Sequence, residues 1–430
     1  MRNISIFSLL VIGAAAFACG GDTQDQPDTG DPDAGDQDAI VQDDVVTDDA
    51  DHGSVSTTYP AFKVDAPQVV SFGGPILATP KVVPVYFGND QTTFTDQITA
   101  FLGKLTTTTA TYWLPAVQEY SVGALTIATP VQLTESAAAS ISDTQIQTWL
   151  SNKLTTNDPA WPAPDANTVY ALFYPTGTTI SLGQGGGSSC SSFGGYHSNI
   201  TVNQKDVSYA VMPRCAKFGG LTGIDAVTAT TSHELIEAST DPYPQDQNNA
   251  AYGQVDDNHI IWEFVLGGGE TGDMCAQNID SFFKPSDIGN YVQRNWSNKA
   301  AAAGHNPCQP SAGLPYFNSM PVLNEKVSVA GQLTTKGVTI PVGSSKTIEV
   351  DLFSDANTGA AWTVTALDGA TLQQQPAELS FSWDRTSGKN GEKLYLTIKV
   401  LKASQYGAEG FLIESTLGTQ SSVWVGLVGN

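Results

Sequence analysis

Cationic side chains are scarce in this 430-residue chain, which has 19 Lys and Arg against 43 Asp and Glu and a formal net charge of −24. No basic patch is visible, so the sequence predicts no nucleic-acid partner. Cysteine is also scarce, and none of the five Cys forms a Cys-x-x-Cys pair, which argues against a thiolate zinc site. The apolar run over residues 4–18 is shorter than a transmembrane helix normally requires.

This apolar run has the features of a secretory signal, with a basic start at Arg2 and small residues at its end. It ends in Ala16-Phe17-Ala18-Cys19-Gly20, which resembles a bacterial lipobox. We therefore expect residues 1–19 to be a lipoprotein signal peptide, with Cys19 lipidated and the membrane a partner through this anchor. A plain secretory cleavage near Ala18 is the alternative. The predicted location is the bacterial cell envelope, lipid-anchored at the outer membrane or cell surface, or the secreted fraction.

An acidic stretch follows the signal. Between Asp22 and Asp51 the chain has twelve Asp and no Lys or Arg. Such a segment cannot bury enough apolar surface to fold, so it predicts an extended, disordered tether. The predicted organisation is a tether over 20–57, a first domain over 58–309, a linker over 310–322 and a second domain over 323–430.

Four cysteines remain after Cys19, and an even number in an exported chain favours two disulfides. Three connectivities are possible. We expect Cys190 to pair with Cys215 and Cys275 with Cys308, because each of these pairs closes a local loop.

The two domains have different patterns. In the first, apolar runs at 81–87, 168–174 and 207–213 predict strands. They alternate with segments of helical periodicity, which is typical of an α/β (α+β) domain. In the second, short alternating runs such as 347–352 and 393–400, separated by turn residues, predict an all-β immunoglobulin-like sandwich. No chemistry is evident in the second domain, and a structural or adhesive module is its simplest interpretation.

The stretch from Thr228 to Pro242 predicts a helix with a polar seam. His233 and Glu237 are four residues apart and lie on one face, with Glu234 beside them. In a zincin His-Glu-x-x-His helix, two His hold zinc and the Glu is the general base. Here the second His is a Glu, and a carboxylate can replace imidazole as a zinc ligand. An ordinary core helix carrying these residues is the alternative interpretation.

The remaining ligands are expected from two glycine-rich segments. Glu270 or Asp273 supplies the third ligand, and Glu234 acts as general base on a metal-bound water. His197 is a further ligand or a catalytic group that stabilises an oxyanion, the alternative being a hydrogen-bonded loop histidine. We expect Zn²⁺, although a carboxylate-rich set with one His also suits calcium or manganese.

Several motifs in order resemble the plant Exordium / phosphate-induced protein 1 family and its bacterial relatives. They are Gly73-Gly74-Pro75, Tyr86-Phe87-Gly88, Gly195-Tyr196-His197, His233-Glu234-x-x-Glu237, Glu270-x-x-Asp273-x-Cys275 and Tyr291-Val292-Gln293-Arg294-x-Trp296-Ser297. The resemblance runs from about Phe72 to Cys308 and implies a secreted, cell-wall-associated protein linked to growth, without an agreed activity. The family is similar to zincin metallopeptidases only through the helix.

These observations predict a zincin-like metallohydrolase domain followed by the sandwich. The expected function is an envelope-anchored zinc metallopeptidase acting on a peptide or cell-wall substrate. The alternative is a non-catalytic cell-surface protein in which the metal helix is structural and the sandwich binds glycan or matrix.

Overall fold

The computed structural model of the protein describes residues 50–156, 158–183, 186–245 and 250–430. The predicted signal peptide, the lipidation site Cys19 and the tether as far as residue 49 lie outside the described residues. Within the described ranges, no helix has both the length and the apolar character needed to cross a membrane.

The first domain combines short and long strands with helices. Its strands are β1 (Val69–Val70), β2 (Lys81–Tyr86), β3 (Thr126–Ile127), β4 (Val131–Gln132), β5 (Ser140–Ser142), β6 (Thr168–Tyr174), β7 (Thr179–Ser181), β8 (Tyr196–Val202), β9 (Lys205–Pro213), β10 (Lys217–Phe218), β11 (Leu221–Thr222), β12 (Gln254–Val255), β13 (Phe282–Phe283), β14 (Val292–Gln293), β15 (Asn295–Trp296) and β16 (Cys308–Gln309). Its helices are α1 (Thr92–Thr107), α2 (Trp113–Val117), α3 (Asp143–Thr155), α4 (Gly223–Thr240), α5 (Ile261–Leu266), α6 (Asp273–Ala276) and α7 (Asn298–Ala302).

The main sheet has the order β3-β2-β6-β9-β8, with β4 also paired to β2. Its inner pairs are parallel, and only β8 runs antiparallel, against β9. Alternate residues of the central strands face two different cores: Val169 and Phe173 of β6 face the core that includes α1 and α4, and Tyr170 and Leu172 face the core that includes α3. Burial on both faces explains the nearly continuous apolar runs in the sequence.

Helix α4 begins at Gly223, earlier than the predicted start at Thr228. The extra turn continues the apolar face, since Val227 is buried in the same core as α1. The helix ends at Thr240, directly before the Asp241-Pro242 pair that closes the predicted stretch. Asp241 precedes a proline and takes a non-helical conformation, with φ −141° and ψ 73°.

The second domain is a β-sandwich. Its elements are β17 (Phe317–Pro321), β18 (Glu325–Val329), β19 (Leu333–Thr339), β20 (Ser345–Ser354), β21 (Trp362–Asp368), α8 (Gly369–Leu372), β22 (Leu379–Trp383), β23 (Ser387–Gly388), β24 (Lys393–Val400), β25 (Ala408–Leu417) and β26 (Gln420–Gly429). One sheet has the order β17-β20-β24-β22 and the other β18-β19-β26-β25-β21-β23. Side chains of both sheets, including Trp362 and Leu396, form one buried core between them. The predicted sandwich is therefore confirmed.

Two of the predicted boundaries, the start of the sandwich and the end of the tether, differ from those in the structure. The sandwich begins at Phe317, inside the predicted linker, because β17 pairs with β20 and all five of its residues are buried. The end of the predicted tether is not free. The His52 carbonyl accepts a hydrogen bond from the Lys393 N–H at 2.9 Å, and the Ser56 N–H donates to the Asn390 carbonyl at 2.8 Å.

The two domains share a hydrophobic cluster. Trp262 of α5 stands edge-on to Trp424 of β26, with ring centroids 5.5 Å apart, and Trp424 is also edge-on to Phe353 at 5.9 Å. Both tryptophans are buried, and Trp296 of β15 packs in the same cluster. The domains therefore meet through a continuous apolar interface, where the sequence predicted a linker between separate units.

Candidate metal centre

Helix α4 supplies three ionisable groups to one buried cluster. Glu234 and Glu237 are 3% and 4% exposed, and the helix is buried along most of its length. As the spacing predicted, His233 and Glu237 lie on one face: His233 Nε2 is 3.1 Å from Glu237 Oε2.

Two other segments bring the remaining predicted residues to this helix. His197 enters from β8, with Nδ1 3.7 Å from Glu237 Oε2 and 3.8 Å from Glu234 Oε2. Asp273, the first residue of α6, places Oδ1 3.7 Å from His233 Nε2. Glu270, just before α6, places Oε2 3.5 Å from His197 Nε2.

The donor atoms form two groups. His233, Glu237 and Asp273 have donor atoms within 4.8 Å of one another, and so do His197, Glu237 and Glu270. The structure thus brings together every predicted ligand and both predicted catalytic residues, and Glu237 belongs to both groups. We refer to these five residues, together with Glu234, as the metal cluster.

Two glycines allow this convergence. A Cβ on Gly195, at the entrance to β8, would lie 2.9 Å from Glu234 Oε1. A Cβ on Gly272 would lie 2.7 Å from Glu237 Oε1 and 2.9 Å from His233 Nδ1. Since real Cβ atoms do not approach other atoms this closely, any side chain at either position would displace the cluster. The Gly272-to-Asp273 peptide also binds the helix directly, because the Asp273 N–H donates to Glu237 Oε1 at 3.0 Å.

Both histidines are oriented by residues that the sequence analysis did not assign to the site. His197 Nε2 donates to the Asp241 carbonyl at 3.0 Å, because a carbonyl only accepts. Gln293 Oε1 lies 3.1 Å from His233 Nδ1, and Gln293 Nε2 donates to the Gly272 carbonyl at 2.8 Å. With its amide NH₂ committed to that carbonyl, Gln293 presents its oxygen, so His233 Nδ1 carries the proton and donates it.

These two partners turn the other nitrogen of each imidazole toward carboxylates. In the neutral ring His197 Nδ1 then faces Glu234 and Glu237 with a lone pair, and His233 Nε2 does the same toward Glu237 and Asp273. A lone pair against a carboxylate oxygen is repulsive, so a proton or a cation must lie between them. In the sequence, Gln293 belongs to the motif Tyr291 to Ser297, which is the feature that could have indicated it. Nothing in the sequence indicates the role of the Asp241 carbonyl.

Burial and crowding set the protonation of the metal-free cluster. Burial and then the Glu237 carboxylate raise the pKa of Asp273 to about 8, and the same two influences raise the pKa of Glu270 well above its ordinary value. Burial also raises the pKa of Glu234. Burial alone would raise the pKa of Glu237, but its neighbours, with His233 the strongest of them and His197 next, together lower it. Burial alone would lower the pKa of His233, but the surrounding carboxylates, with Glu237 the strongest of them, together raise it well above its ordinary value.

The cluster fits a divalent ion on three grounds. Its donors are imidazole nitrogens and carboxylate oxygens, the ligands of catalytic zinc. Around a tetrahedral ion with bonds of about 2.0–2.1 Å, ligand atoms lie roughly 3.3–3.4 Å apart, near the 3.1 and 3.7 Å distances from His233 Nε2 to Glu237 and Asp273. Finally, the buried Glu270 Oε2 has no hydrogen-bond partner among the described residues.

Both predicted disulfides are confirmed. Cys190 is bonded to Cys215, and Cys275 of α6 is bonded to Cys308 of β16, which fixes the segment carrying Asp273 to the rest of the domain. Disulfides are typical of extracellular or secreted proteins, since the cytosol keeps thiols reduced.

Comparison with known protein families finds no match, and no curated protein matches the sequence. Solved structures match only part of this chain, with low TM-scores. A chimeric titin Z1Z2 chain is 14% identical, covers 26% of this chain and 95% of its own, and has a TM-score of 0.16. Domains 4 and 5 of the S-layer protein SbsC are 13% identical, cover 35% and 89%, and score 0.17. A family 123 glycoside hydrolase from Clostridium perfringens is 10% identical, covers 26% and 27%, and scores 0.18. Likeness at this level carries no argument about function.

Proposed function

We propose that the first domain is a zincin-like, zinc-dependent hydrolase that acts on peptides. The observation that carries this proposal is the convergence of His197, His233 and four carboxyls from separate segments on one buried cluster. The side chains of His233 and Asp273 remain 16% and 28% exposed, so solvent reaches the cluster from that side, and in this proposal the substrate approaches from there as well.

Each residue of the cluster has a role in this proposal. His233, Glu237 and Asp273 hold the ion, with Glu270 the alternative third ligand. A divalent ion supplies Lewis acidity and makes water acidic enough to react near neutral pH. Glu234 is the general base, because its buried carboxyl lies beside the ligands and burial raises its pKa toward the range suited to proton transfer. His197, 3.8 Å from Glu234, is the second catalytic candidate.

A peptide is the favoured substrate because of the strand that carries His197. Strand β8 is at the edge of the described main sheet, and the cluster lies at its first residues. An extended peptide can pair with a sheet edge through its backbone. Such pairing would bring a scissile amide beside α4.

The proposed location is the bacterial cell envelope, with the chain anchored by a lipid on Cys19. The two disulfides support export. In cells grown with labelled palmitate, label on the wild-type chain and none on Cys19→Ala is the expected result. Equal labelling of both, or none on the wild type, would exclude the anchor.

The test of the enzymatic proposal compares the full chain with Glu234→Gln and with Glu263→Gln, a half-buried glutamate of α5 outside the cluster. We expect zinc by mass spectrometry in all three, and cleavage of a peptide library by the wild type and Glu263→Gln only. A wild-type chain without metal would refute the proposal. Metal without cleavage would favour the non-catalytic alternative, a surface protein with a structural metal.

A further inference from the structure

The metal cluster contains more donor atoms than one ion uses. The first group, His233, Glu237 and Asp273, already provides the three protein ligands of a typical catalytic zinc. The second group, His197, Glu237 and Glu270, has the same composition of one imidazole and two carboxyls within the same 4.8 Å limit. The two groups have Glu237 in common.

Glu237 has the position of a bridging ligand. Its Oε2 lies 3.1 Å from His233 Nε2 and 3.7 Å from His197 Nδ1, so a single carboxylate oxygen faces both imidazoles. The distance to His197 is too long for a hydrogen bond, and it is close to the separation of two ligands of one ion.

The orientation of each imidazole leads to the same requirement. His233 donates from Nδ1 to Gln293, and His197 donates from Nε2 to the Asp241 carbonyl. When the ring is neutral, as a metal ligand must be, the remaining nitrogen of each imidazole therefore faces carboxylate oxygens with its lone pair. A cation between His233 and Asp273 removes the repulsion on one side of Glu237 and leaves it on the other.

The charge of the cluster agrees with this geometry. Glu234, Glu237, Glu270 and Asp273 together carry four negative charges when ionised, and one divalent ion compensates two of them. Uncompensated buried charge is costly. The buried Glu270 Oε2 also lacks a hydrogen-bond donor among the described residues, because His197 Nε2, 3.5 Å away, donates to the Asp241 carbonyl instead.

We propose that the cluster binds two divalent cations bridged by Glu237, one on His233 and Asp273 and the other on His197 and Glu270. This inference rests on the proposed hydrolase function and deepens it. Paired ions about 3.5–4 Å apart are used by aminopeptidases and phosphatases to hold both oxygens of a displacement. In this arrangement His197 is a ligand of the second ion, and Glu234, the proposed general base, lies 3.8 Å from His197 Nδ1.

The test is the number of ions that the full chain binds. Chelator-treated protein is loaded with Zn²⁺ by equilibrium dialysis and measured by mass spectrometry, beside Glu270→Gln, Asp273→Asn and the control Glu263→Gln. We expect two ions in the wild type and the control, and one in each cluster variant. Weak binding of ions by the acidic N-terminal segment is the same in all four proteins, so it cancels when each variant is compared with the wild type. Circular dichroism of each variant reports its folding.

A second readout is spectroscopic and does not depend on counting ions. In the Mn²⁺-loaded wild type we expect the electron paramagnetic resonance signal of a coupled pair, and in Glu270→Gln the signal of an isolated ion. One ion in the wild type, kept by Glu270→Gln and lost in Asp273→Asn, would overturn the two-ion proposal and leave the hydrolase proposal intact. No bound ion in the wild type would overturn both.

Discussion

Replacing Gln293 by alanine tests whether the amide that orients His233 also controls metal binding. In the native chain Gln293 accepts the proton of His233 Nδ1 at 3.1 Å and donates to the Gly272 carbonyl at 2.8 Å. Gln293 therefore fixes both the tautomer of one ligand and the segment that carries Asp273. Removing such an outer partner reduces metal affinity by roughly 10- to 100-fold.

The same substitution leaves two buried polar groups without partners. Each such loss costs about 1–3 kcal/mol, so the metal-free protein is also destabilised. Affinity and stability therefore need separate measurements. Zinc affinity is measured by competition with a chromophoric chelator, and stability by urea unfolding of the metal-free chain.

The matched control is Asn295→Ala. Asn295 is a buried amide two positions further along the chain, and it donates to the Ala116 carbonyl at 2.7 Å without contacting the histidines. We expect Asn295→Ala to lose stability and keep its zinc affinity, whereas Gln293→Ala loses both. Gln293→Glu restores an acceptor for Nδ1 but not the donor to the Gly272 carbonyl, so it should recover only part of the affinity. Wild-type affinity in Gln293→Ala, or an equal loss in the control, would refute the assigned role.

Four further results are expected. Zinc binding should strengthen as pH rises through 8, because zinc must displace a proton from Asp273, whose pKa burial raises to about 8; a pH-independent affinity between 6 and 9 would contradict this. Burial raises the pKa of Glu263 from 4.5 to about 7, so the contribution of Glu263 to the free energy of unfolding is fully present below pH 4.5 and is lost as pH rises through 7. Glu263→Gln should therefore raise the free energy of unfolding at pH 8 by up to about 3 kcal/mol. Urea titrations at pH 4.5 should show little effect. Replacing Cys275 and Cys308 by serine opens a loop of 33 residues and should cost about 4 kcal/mol of the free energy of unfolding, seen as a lower urea midpoint. Trp424→Ala should cost about 3–5 kcal/mol by calorimetry, and a change below 1 kcal/mol would mean that the domains do not depend on this interface.

The sequence predicted the parts of the site that depend on local spacing. A four-residue separation on a helix places His233 and Glu237 on one face whatever the rest of the chain does. The glycine-rich loop likewise indicated Glu270 and Asp273. These groups lie together in the structure, and the two disulfides formed as expected.

The parts that were not predicted depend on contacts between distant segments. A backbone carbonyl such as that of Asp241 is present at every position, so no residue type reveals which one orients His197. The start of the sandwich at Phe317 was also missed, because Pro, Gly and Ser nearby indicated a linker, while the pairing of β17 with β20 is set by tertiary packing. For the same reason the interface between Trp262 and Trp424 has no local signal.

The scarcity of Lys and Arg has a direct consequence for the metal cluster. Among the described residues, the ion pairs made by Glu237, Glu270 and Asp273 are with His197 and His233 only, and no Lys or Arg approaches these carboxylates. Burying so many carboxyls without a fixed cation is unfavourable, since each must either lose its charge or find a counter-ion. Protons provide that compensation in the metal-free chain, as the raised pKa of Asp273 indicates. An external divalent ion is a stronger compensating charge, and the domain should therefore gain stability with every ion it binds.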